Sequence, residues 1–162
     1  MADEVDALIA AWRRERDDLD TEPMQVWSRV HRLAIHFDAA RRESFAQTGL
    51  ESWEFDVLAA LRKAGKPYQL TPGQLTRETH VTSGTMTNRV DRLASRGLVV
   101  RESHPDDGRG VLVELTADGR ALVDRALEEL LVVEDGLLGD ITASERTQLV
   151  RALRLLLGRQ DD

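Results

Sequence analysis

Apolar residues recur along this chain at two spacings, and the change from one to the other divides it. Over most of its length they stand three and four residues apart, the period of a helix with one buried face; after Gly97 they alternate. Val5, Leu8, Ile9 and Trp12 predict a first helix from Asp3 to Asp18, too short to be stable alone and broken by DDLDTEP. Pro23 is placed to open a second helix that runs to about Gln47, with Val26, Trp27, Val30, Leu33, Ala34 and Phe37 on its apolar side and Gly49 closing it. Ser52 is the expected cap of a third, whose inner side is Trp53, Val57, Leu58 and Leu61, with Asp56 off that stripe and Gly65 ending the run.

KPYQ reads as a short extended link. Thr71-Pro72 is a cap followed by proline at the first helical position, and the short helix to about Thr79 offers Leu75 to the core. A turn through His80, Val81 and Thr82 leads into VTSGTMTNRVDRLASRG. There Ser83 is the expected cap, Met86, Val90 and Leu93 form one buried stripe, and Gly97 is the stop. Two short helices joined tightly, the second polar outside, make the helix-turn-helix pattern. LVVRES and VLVEL then read as two strands around the turn HPDDGRG, a hairpin wing. Thr116 caps a long helix carrying Leu122, Val123, Ala126, Leu127, Leu130, Leu131 and Val133. TASE from Thr142 to Glu145 is a capping box that starts a last helix with Leu149, Val150, Leu153, Leu156 and Leu157.

The expected fold is therefore mainly α with a small β-hairpin wing. It is one domain over 1–162, with a winged helix-turn-helix lobe at 50–116 flanked by dimerisation helices at 1–48 and 117–162. The leucine-rich faces of the end helices are wider than one neighbour requires, which predicts a homodimer.

Charge sharpens this picture. From Arg62 to Gly110 there are nine Lys and Arg against five Asp and Glu, a net of +4. The remainder carries thirteen against twenty-four, a net of −11, and the whole chain −7. A basic middle between acidic ends suits a protein that presents one face to a polyanion. Double-stranded DNA is the expected partner. Outward on the second helix of the motif lie Ser83, Thr85, Thr87, Asn88 and Arg92. Hydroxyls and amides can read base edges there, and arginine can take guanine or phosphate. Arg109, between glycines in the wing turn, is suited to a minor groove.

The 162 residues contain no cysteine, which excludes disulfides, thiolate metal sites and thiol nucleophiles. No apolar run approaches a membrane span, and the acidic start MADEVD lacks a secretory head, so a soluble cytoplasmic protein is expected. No phosphate loop, serine elbow or HExxH helix points to an enzyme. Two other readings are weighed: a winged-helix protein-interaction module, and a metal-responsive regulator using His31, His36, His80 or His104. No metal site and no cofactor is expected.

The pieces EFDVLAALRKAG, LTPGQLTRE, TSGTMTNRVDRLASRGLVVR, DDGRGVLVELT and TADGRAL together resemble the MarR family of bacterial transcription regulators. That resemblance implies an obligate dimer on a pseudo-palindromic operator, with repression relieved by a ligand. AAWRRERDDLD followed by VHRLA is similar to a narrower branch, the PecS and urate-responsive regulators. In that branch a tryptophan, an aspartate and two arginines form or support a pocket, and they match Trp12, Asp56, Arg89 and Arg101. The resemblance implies that Trp12 stacks on a flat ligand and Arg89 binds its charge, while Asp56 holds Arg101 until the anion disturbs the pair. The implied effector is a small anion, urate or a related metabolite.

Overall fold

Asp3 opens the first helix, its carboxylate accepting from the backbone N–H groups of Val5 at 2.8 Å and Asp6 at 3.1 Å. The computed structural model describes residues 2–103, 110–139 and 141–158. Helix α1 is Glu4–Glu15, shorter than the pattern predicts. Arg16 closes on Asp18 at 2.7 Å, and Asp20 accepts from the N–H of Glu22 at 2.9 Å, so local side-chain bonds replace the next helical turn. Val5 and Ile9 are buried, and α1 is tied to α2, Met24–Gln47, by Arg29, which reaches both Asp3 and Asp6.

Helix α3, Ser52–Lys63, is capped by Glu51 rather than by Ser52. The acid three residues on decides this: Glu54 Oε2 accepts from the N–H of Glu51 at 2.9 Å, which makes Ser52 the first helical residue. Strand β1, Gln69–Leu70, is a third strand that the pattern does not announce, because two residues carry no alternation. Thr71 caps α4, Pro72–Thr79, reciprocally with Gln74. Helix α5, Ser83–Ser95, takes Thr82 as its cap, not Ser83; Thr82 Oγ1 accepts from the N–H of Thr85 at 3.3 Å. The helix starts one residue earlier than expected, so Ser83 stands at its leading end.

Strands β2, Val99–Ser103, and β3, Val111–Leu115, pair antiparallel with Val99 opposite Leu115 and Ser103 opposite Val111. The sheet order is β1-β3-β2, with Leu70 opposite Val113. Helices α6, Ala117–Leu138, and α7, Ala143–Leu157, begin at the caps Thr116 and Thr142.

Leu58 and Leu61 of α3, Leu75 of α4, Met86 and Leu93 of α5, and Val113 of β3 are all fully buried in one core. Each such side chain stabilises by roughly 1.5–3 kcal/mol. The core extends to Phe45 of α2, stacked on Phe55 with ring centroids 4.3 Å apart, and to Val123, Ala126 and Leu130 of α6. The lobe is therefore rooted in both long helices, which fixes where α5 stands. By contrast, α7 has no buried residue in a single chain.

Candidate nucleic-acid interface and effector cleft

The buried stripe of α5 sets what faces out. With Met86, Val90 and Leu93 turned into the core, Ser83, Thr85, Thr87, Asn88 and Arg92 are all exposed. Two of these hydroxyls have local bonds: Thr85 Oγ1 lies 2.9 Å from Thr82 Oγ1, and Thr87 Oγ1 donates to the carbonyl of Ser83 at 3.1 Å. Each keeps an acceptor face for an incoming donor. Arg109 lies outside the described residues.

Arg92 is held by groups that the hydrophobic pattern does not single out. Its Nη2 donates to Glu51 Oε1 at 2.6 Å, and its guanidinium lies 4.7 Å from the centre of the Trp53 ring. Trp53 Nε1 donates to the other oxygen of Glu51 at 2.7 Å. That indole bond, and then Arg92, hold the Glu51 carboxyl below its ordinary range. Arg89 stacks over the same Trp53 ring at 5.4 Å. Arg96, which follows the last residue of α5, turns back towards α3: it donates to Glu54 at 2.6 Å and to the carbonyl of Gly49 at 2.9 Å. Only the helical spacing of Glu51 and Glu54 at the head of α3 hints at these acceptors.

A cleft of about 450 Å³ opens between α3, the end of α4 and the start of α6, lined in part by Asp56, Lys63, His80 and Leu127. Its charges are largely paired. Arg62 donates to Asp124 at 2.8 Å, Lys63 stands 3.4 Å from Glu78, and Asp56 accepts from Arg41 at 2.9 Å. The expected pair of Asp56 with Arg101 is absent here. Strand β2 carries Arg101 to the outer side of α5, where it meets Asp91 at 2.8 Å, whereas Asp56 faces Arg41 of α2. Trp12 is 47% exposed and lines a separate depression of about 330 Å³ with Leu19 and Met24. Arg89 and Arg101 line neither space. Trp12, Asp56, Arg89 and Arg101 are thus not gathered into one pocket within a single chain.

Among the described residues there is no group of three or more His, Asp or Glu that could hold a metal ion, and no helix long and apolar enough to cross a membrane.

The sequence pattern of the MarR family matches residues 48–110, from the end of α2 to the foot of β3. Over 156 residues the chain is 38% identical to the HTH-type transcriptional regulator PecS of Dickeya dadantii, covering 96% of this chain and 92% of that one. A mutant MarR from Escherichia coli, solved complexed with operator DNA, superposes with a TM-score of 0.72 at 29% identity, covering 86% of this chain and 99% of that one. Bordetella bronchiseptica BpsR, whose structure concerns regulation of its DNA binding by 6-hydroxynicotinic acid, gives 0.68 at 29% identity over 82% and 98%. These relatives are regulators and not enzymes. Through the winged lobe, the long flanking helices and identity spread over nearly the whole length, the chain belongs to the MarR family of DNA-binding transcription regulators.

Proposed function

We propose that this chain is a homodimeric repressor that sets α5 in the major groove of each half of a pseudo-palindromic operator and leaves it when a small anion such as urate binds. The observation that carries the reading is the outer face of α5. Exposed Thr85, Asn88 and Arg92 recur along it, while Arg89 of the same helix shares the Trp53 ring with Arg92. A two-fold dimer would place its α5 helices on half-sites about one turn of DNA, roughly 34 Å, apart. The exposed leucines of α7, including Leu155 and Leu157 at 63% and 68%, supply a surface for the second copy.

Coupling follows from the position of Arg89. An anion that draws Arg89 away from Trp53 perturbs the aromatic platform on which Arg92 also rests. Ligand and DNA then favour different arrangements of one helix, and linkage requires each to weaken the other. Regulation of BpsR by a flat heteroaromatic acid supports an effector of this class. In this reading Trp12 offers the stacking face, and the second chain or a shift of α1 completes the site with Asp56, Arg89 and Arg101.

The test is thermal. Urate at a hundred times its Kd stabilises a protein that binds it by about 2.7 kcal/mol. The wild type should show the corresponding rise in Tm, and Trp12→Phe and Arg89→Ala should show a smaller one. Equal rises in all three would remove these residues from the site.

A further inference from the structure

We infer that Glu51 and Trp53, at the head of α3, are positioning residues that hold Arg92 of α5 for reading a guanine. This rests on the reading of α5 as the groove-facing helix, and it adds two residues that lie outside that helix.

Three side chains close a ring: Arg92 to Glu51 at 2.6 Å, Glu51 to Trp53 at 2.7 Å, and the Arg92 guanidinium on the Trp53 face at 4.7 Å. An arginine side chain is long and loses rotamer freedom when it docks. One already fixed at its face and at Nη2 loses less on binding. Among the described residues that bond to Glu51 is the only one Arg92 donates from its side chain. Four of the five guanidinium N–H groups remain for a base.

The carboxylate that holds it is itself held. Glu51 is fixed by the Trp53 indole on one oxygen and by its place as the cap of α3, so the support is anchored to the lobe. Stability does not explain the arrangement, because both partners are more than half exposed and such ion pairs add little. Register does. Thr85, Asn88 and Arg92 fall at i, i+3 and i+7 on one face, so Arg92 follows the reading residues along the groove. A bidentate arginine–guanine contact needs both reach and orientation, and the ring of Glu51 and Trp53 supplies the orientation.

The test selects binding sites from a random-sequence duplex library with the full chain and with Arg92→Ala, Glu51→Gln and Trp53→Phe. Wild type is expected to prefer guanine at one symmetric pair of positions by about tenfold or more. Arg92→Ala should lose that preference and leave the others. Glu51→Gln and Trp53→Phe should reduce it to about threefold or less at the same base pair, and Glu51→Gln combined with Arg92→Ala should be no worse than Arg92→Ala alone. Affinity for random DNA is not the readout, since removing an anion beside DNA raises it in any case. Trp53→Phe leaves the Glu51 cap intact and decides the matter if Glu51→Gln fails to fold. Loss of the guanine preference in Arg92→Ala with its retention in both supporting variants would overturn the inference while the groove reading stands. An unchanged preference in Arg92→Ala would also overturn it. Failure of the wild type to enrich any sequence would sink the groove reading, and this inference with it.

Discussion

Arg96 Nη1 donates to Oε2 of Glu54 at 2.6 Å, and the carboxylate it reaches is only 2% exposed. Glu54 also takes the N–H of Glu51, and Arg96 also reaches the carbonyl of Gly49. One arginine at the end of α5 therefore locks that helix to the head of α3.

Arg96→Ala leaves a buried carboxylate without its cation. Breaking a fully buried pair costs about 3–5 kcal/mol. Arg96 is itself 39% exposed, so solvent screens part of this and about 2–3 kcal/mol is expected. Arg92→Ala, whose pair with Glu51 is exposed on both sides, should cost clearly less, because water screens such a pair. Urea unfolding of the two variants checks the difference, and equal costs would contradict this account of Glu54.

Gly119 lies where α6 leaves the sheet. A Cβ there would meet the carbonyl oxygen of Leu98 at 2.1 Å, and that oxygen is already fixed by the N–H and hydroxyl of Thr116. Backbone cannot step aside as a flexible side chain does, so Gly119→Ala should cost about 1–3 kcal/mol or more. At Gly73, in α4, a Cβ would meet nothing closer than 4.0 Å. Gly73→Ala should be neutral or stabilise by about 0.5–1 kcal/mol. Thermal melts of the pair test the packing of α6 on the lobe.

Helices α4, α6 and α7 are legible because each is marked twice, by period and by a cap: Thr71-Pro72 for α4, Thr116 for α6, TASE for α7. Two helices, α3 and α5, start one residue earlier than a serine cap implies. At Glu51 the reciprocal bond to Glu54 outweighs the serine that follows, and at Thr82 two hydroxyl residues stand side by side with nothing local to choose between them. Strand β1 was invisible because it exists only through its partner Glu114 and Val113 on β3. The outer face of α5 can be read from spacing alone. Which acceptors Arg92 and Arg96 meet cannot, since Glu51 and Glu54 reach them only after the chain folds back on itself.

Oligomeric state tests the exposed apolar faces. Leu153, Leu155 and Leu157 of α7 and Leu33 of α2 are exposed in one chain, far from what a single solvated helix needs. Sedimentation at micromolar concentration and physiological salt should give the mass of two chains. A species at 18.2 kDa would contradict the assignment of these faces to a second copy.

An anion and DNA are proposed to compete through α5. Fluorescence anisotropy of a labelled duplex that the chain has selected, titrated with urate at fixed physiological salt, measures this directly. Anisotropy should fall to the free-DNA value as urate rises, and DNA should weaken urate binding by the same factor. Anisotropy unchanged at urate concentrations that saturate the thermal shift would contradict this competition.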